Sequence, residues 1–197
     1  MTEFRLWKSP KKALPDTVMV DGGAFSVNTD FKTILKIFAI LDDPEILDAH
    51  KGAQIVRLFF RDAAPARWED AFGWFVRCGD APNPAQETPR GFDYDFDAPE
   101  IYASFLHLYG IDLLQETLHW WQFCALLAGC CLSRCPLAEK LRIRTLDVSK
   151  CTDKAAAQRA KDSVQIPERI GATERMTRDR ILERLARGES VADLIGG

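Results

Sequence analysis

Four groups of residues have types and spacings capable of chemistry. Asp93, Asp95 and Asp97 alternate with Phe92, Tyr94 and Phe96, and acids at alternate positions match the first ligands of a calcium-binding loop. Such a loop also needs glycine at its sixth position and a bidentate glutamate at its twelfth, where this chain has Ala98 and Ser104. The segment therefore reads as a solvated lead-in to a helix, with Asp97 as cap and the aromatics turned inward. Cys124, Cys130, Cys131 and Cys135, with His119 nearby, are zinc-ligand types. They lack a C-x-x-C pair, and neighbours 130 and 131 would diverge on a helix, so they read as buried reduced thiols. Ser104 and His107 share a helical face without the glycines of a nucleophile elbow. Arginines 169, 175, 178, 180, 184 and 187 interleave with acids, a pattern that suits local ion pairs on a helix face better than a phosphate-binding stripe. No phosphate-cradling glycine motif occurs. The residues thus point to no catalytic group, no cofactor and no metal.

Composition narrows the class. The chain has 197 residues, 47% hydrophobic, with 26 Lys+Arg against 29 Asp+Glu and a net charge of -3. That is enough for one sizeable core and excludes a collagen, a disordered tail or a disulfide-dense toxin. It gives no general electrostatic reason to bind nucleic acid or acidic membrane. Residues 1–12 are basic but lack the apolar run of a secretory signal, so a cytoplasmic protein is expected. The longest uncharged run, 117–133, sits at the short limit for a membrane span and contains His119 and Gln122, which favours a buried core helix.

The elements that must position these groups are mostly helical. Residues 14–27 carry the one β signal, two short apolar runs around Asp21-Gly22-Gly23, a hairpin. Asn28-Thr29-Asp30 precedes a helical stripe of Phe31, Ile34, Leu35, Phe38 and Leu41. Further helices are predicted over 49–60 (Ala53, Ile55, Leu58, Phe59), 65–78 with Pro65 in the first turn, 98–109 ending at Gly110, 117–128, 136–148 and 153–164. The expected fold is mainly α, a helical bundle with a short N-terminal β-hairpin and a C-terminal helical tail. Its organisation is an N-terminal segment 1–13, a core domain 14–148 with a proline-rich exposed connection near 79–91, and a charged tail 149–197.

The order of the motifs carries a resemblance. Asn28-Thr29-Asp30-Phe31, Leu58-Phe59-Phe60, Trp74-Phe75-Val76-Arg77-Cys78-Gly79, Ile101-Tyr102-Ala103-Ser104-Phe105, Tyr109-Gly110-Ile111-Asp112-Leu113 and Leu118-His119-Trp120-Trp121-Gln122-Phe123 resemble the bacteriophage gene product fifteen family. The resemblance covers about 14–146. It implies a helical, non-enzymatic tail assembly protein of long-tailed phages or prophages (siphoviruses), encoded beside the tape measure gene. Such a protein would act in the host bacterial cytoplasm as a chaperone of the tape measure protein. It would hand that client to tail tube subunits and leave room for a homo-oligomer, with no role for nucleic acid or membrane. The rival reading is a structural component of the tail or head–tail junction; an enzyme or metal-binding protein comes after it.

A helical client needs apolar anchors on its partner. Trp120, Trp121, Phe92, Tyr94 and Phe96 are the candidates in the core, and Ile181, Leu182 and Leu185 form an apolar strip in the tail.

Overall fold

The computed structural model describes residues 14–79 and 91–167. The first segment, the centre of the proline-rich connection and the tail strip of Ile181, Leu182 and Leu185 lie outside them.

The chain is mainly α-helical, with one antiparallel hairpin at its start. Strands β1 (Thr17–Val20) and β2 (Gly23–Ser26) pair with Val20 opposite Gly23, leaving Asp21 and Gly22 as the two turn residues. Both have positive φ, 48° and 81°. That is the two-residue turn whose twist matches paired strands, and Asp-Gly is a sequence that tolerates it. Val18 and Val27 are buried from this segment, and Val27 bridges to Phe60.

Helices α1 (Phe31–Asp42) and α2 (Asp48–Phe59) pack against each other. The Asp30 carboxylate accepts from the Thr33 amide at 3.3 Å and so satisfies a donor that the helix leaves unpaired. The buried row of α1 is Phe31, Ile34, Ile37 and Ile40. This corrects the expected stripe: the row follows three-residue steps, leaving Leu35 and Phe38 half-buried and Leu41 exposed. On α2, Ile55 and Phe59 are buried whereas Ala53 faces outward. Helix α3 (Trp68–Val76) begins after Pro65, which is a buried residue ahead of the helix rather than its first turn.

Helix α4 (Ala98–Tyr109) has Pro99 in its first turn and stops at Gly110, whose φ of 66° reverses the chain. Helix α5 (Trp120–Cys131) starts three residues later than its apolar pattern suggests. Residues ahead of it are extended, because the Phe31 amide donates to Leu118 O at 3.0 Å and the Trp120 amide donates to Thr29 O at 2.7 Å. The beginnings of α1 and α5, far apart in sequence, are thereby joined. Helix α6 (Pro136–Arg144) gives way to a single 3₁₀ turn, Val148–Lys150, and α7 (Lys154–Ser163) follows with its Asp153 cap. No residue of α7 is fully buried.

Buried side chains from Val18 to Leu137 form one cluster. At its centre Phe123 stacks on Phe31 at 4.8 Å, on Phe105 at 5.3 Å and on Trp120 at 5.6 Å, so one ring ties α1, α4 and α5 together. Stacked pairs of this kind contribute about 0.5–1.5 kcal/mol each beyond their buried area.

Candidate functional site

The acidic lead-in to α4 is where the sequence placed its first candidate chemistry, and two of its three aspartates turn inward while Asp95 is exposed. Asp97 is fully buried and Asp93 nearly so, while Phe92, Tyr94 and Phe96 are only half-buried. The expected solvated cap is therefore corrected. Asp97 makes no side-chain bond to the first turn of α4. Its Oδ2 instead accepts from the Asp93 amide and from Arg144 Nη1, both at 2.9 Å. Its Oδ1 accepts from Arg144 Nη2 at 2.8 Å and Lys140 Nζ at 2.9 Å. Asp93 Oδ1 accepts from the amides of Asp95 and Phe96, each at 2.9 Å.

Arg144 also donates Nε to Val164 O at 2.8 Å and Nη1 to Gly91 O at 2.8 Å. One guanidinium thus holds the start of α4, the end of α6 and the residue after α7. Lys140 reaches Glu100 at 2.9 Å and lies 4.3 Å above the Phe96 ring. Burial pushes the Asp97 carboxyl upward, but Arg144, the Asp93 backbone bond and Lys140 outweigh it and hold the group at about 2. A carboxylate so engaged is a structural clasp. A buried charge survives only when paired and hydrogen-bonded, and here both of its oxygens are occupied.

The tryptophan pair has a similar use. Trp120 Nε1 donates to Val76 O at 3.0 Å and Trp121 Nε1 donates to Phe75 O at 2.8 Å. Two adjacent indoles thus donate to two adjacent carbonyls at the end of α3, where Phe75 O also accepts from the Cys78 amide at 3.0 Å. Trp120 is 1% exposed, and Trp121 is half-buried against Trp74, 5.5 Å away. His119 caps α5: its Nδ1 accepts from the Trp121 amide and its protonated Nε2 donates to Pro15 O, each at 3.0 Å. Burial lowers the His119 pKa, against the opposing influence of the Pro15 carbonyl and Asp16.

Ser104 and His107 do not form a pair. Ser104 is buried on α4 and its Oγ accepts from the Leu137 amide at 3.1 Å, while His107 is exposed. Cys130 and Cys135 are buried and Cys131 is exposed; Cys135 Sγ donates to Cys130 O at 3.1 Å. Among the described residues no group of three or more His, Cys, Asp or Glu side chains is arranged to hold a metal ion. No single helix among them is long and apolar enough to cross a membrane; α5 and α6 together pass on length and composition but are bent by 65°.

Six large apolar side chains face outward among the described residues. Leu132 is 91% exposed and Leu114 72%, with Leu47, Met19, Leu106 and Leu41 also outward. Of the anchors read from the sequence, Trp120 is buried, and Trp121, Phe92, Tyr94 and Phe96 are half-buried. Sequence reasoning missed Arg144 and Lys140. The available signal was the i,i+4 spacing of two bases on α6 combined with an acidic stretch, 91–133, that has no base of its own.

The fold and its clasp define a small helical protein, hairpin-led, whose charged interior groups join distant elements. The chain belongs to the Bacteriophage Gp15 protein family, whose model matches residues 11–165, more than half of the chain. No curated protein and no solved structure matches it.

Proposed function

We propose that this phage protein is a non-enzymatic tail assembly factor that binds the tape measure protein as a chaperone while the tail is built, in the host cytoplasm. The observation that carries the reading is the family match over 11–165. The polar groups with unusual surroundings support it too: Asp97, Arg144, His119 and Ser104 are each engaged in holding elements together. Contact with tail tube subunits and self-association belong to the same proposal.

The test is co-expression with the tape measure protein encoded beside it, scoring client solubility and co-purification. Two variants run alongside, Leu132→Asp on the described surface and Leu182→Asp/Leu185→Asp in the tail. A soluble complex is expected, and the variant that abolishes it locates the contact. If the client stays insoluble and nothing co-purifies, the chaperone reading fails. The structural-component reading then takes its place, to be checked by mass spectrometry of purified virions.

A further inference from the structure

We propose that Cys78 and Cys124 form an oxidisable dithiol pair, a modification site for small-molecule disulfides of the glutathione class, whose closure staples α3 to α5. The juxtaposition follows from the indole bonds already described. Trp120 and Trp121 dock onto Val76 O and Phe75 O, and Cys124 lies one turn further along the same side of α5. Cys78 comes two residues after Val76, in a turn where its φ is 56°, the left-handed region that side chains seldom adopt, and Gly79 beside it has φ 87°. Gly79 is packed under Trp121, where an added Cβ would lie 3.1 Å from the indole edge.

The two thiols share a hydrogen bond. Both residues are reduced and neither is fully buried. The bond to Cys78, together with burial, raises the Cys124 pKa. The first of the two thiols to give its proton to solvent attacks one sulfur of the small disulfide and expels a thiolate. The second, releasing its own proton to solvent, then attacks the protein sulfur of the mixed disulfide and expels the second thiol. Two protein thiols are oxidised to one disulfide, and one reagent disulfide is reduced to two thiols. The product fastens the end of α3 to α5 beside Trp120 and keeps that indole in the core.

The test treats the full chain with oxidised glutathione, alkylates what remains, and maps the digest without reduction. A peptide linked through Cys78 and Cys124 is expected, within one chain, with the two residues protected from alkylation. In Cys124→Ser the reaction should stop at a glutathione adduct on Cys78. In Cys78→Ser no linked peptide should form. Alkylation of both residues in the treated protein, or linkage confined to Cys130, Cys131 and Cys135, overturns the proposal. The mapping of the unsubstituted chain decides it even where a serine variant folds poorly.

Discussion

The Arg144 guanidinium grips both carboxylate oxygens of Asp97, at 2.8 and 2.9 Å, across 47 residues of sequence. Removing Arg144 leaves the buried Asp97 carboxylate to Lys140, and removing Asp97 leaves the guanidinium with carbonyl acceptors; breaking a buried pair in this way costs about 3–5 kcal/mol. Asp97→Asn and Arg144→Met should each lower the unfolding free energy obtained from urea titration by that margin. An apolar double variant, Asp97→Leu/Arg144→Met, should lose less than the sum of the two, because no charge is then stranded. A double variant losing the full sum would show that the two residues act independently.

Acid should release the same clasp. The Asp97 carboxyl has an ordinary value of 3.8 and is held at about 2 in the fold. A depressed carboxylate stabilises the fold above its unfolded value, so this contribution is complete above about pH 4 and is lost as pH falls from there toward 2. The shift corresponds to about 2 kcal/mol. Unfolding titrations across that window should show a steeper acid loss in the parent chain than in Asp97→Asn.

His119 should give a second, separate pH dependence. Its Nδ1 must stay unprotonated to accept from the Trp121 amide at the start of α5. A proton there would set donor against donor and place positive charge at the positive end of a helix. Its pKa is lowered in the fold from 6.5, so the unfolded chain takes up the proton first. Stability is then complete above that value and declines as pH falls below it. Thermal melts between pH 7.5 and 5.5 should show the decline, and His119→Asn, which keeps a capping acceptor without a titratable ring, should flatten it.

Gly129 lets two helices approach. A Cβ at that position on α5 would overlap Tyr109 Oη, which donates to Leu126 O at 2.9 Å. Gly129→Ala should destabilise the fold by about 1–3 kcal/mol through overpacking, despite the better helix propensity of alanine. Combined with Tyr109→Phe, which removes the obstructing oxygen, the alanine should cost measurably less in a double-mutant cycle.

Burial of the Ser104 hydroxyl makes a comparable point about α6. Its Oγ is the acceptor for the Leu137 amide in a helix whose residue before Pro136, Cys135, gives no side-chain cap. Ser104→Ala should cost about 1–3 kcal/mol, as a buried amide is left unsatisfied, whereas Ser104→Thr, which keeps a hydroxyl acceptor, should cost less. Urea midpoints of the two variants decide it.

The sequence by itself determined the elements. Asp21-Gly22 specified its turn because few residues tolerate positive φ there. Asp30, Asp153, Pro99 and Gly110 marked helix ends, because the orphan amides and carbonyls they serve lie within a few residues. Apolar periodicity located Phe31, Ile34, Ile55, Phe75, Phe105 and Phe123 in the core, and motif order pointed to the phage family that the match over 11–165 establishes. Tertiary structure alone decided which polar groups go inside. Asp97 reads locally as a cap, and it became a clasp because Arg144 and Lys140 arrive from a helix more than 40 residues away. Trp120 reads equally well as a surface anchor, and it is buried because Val76 offers its indole an acceptor. Local interactions are set by neighbours in the chain and can be read there. A buried charge or indole is set by whichever distant partner removes the cost of leaving water, and only the folded chain brings that partner within reach.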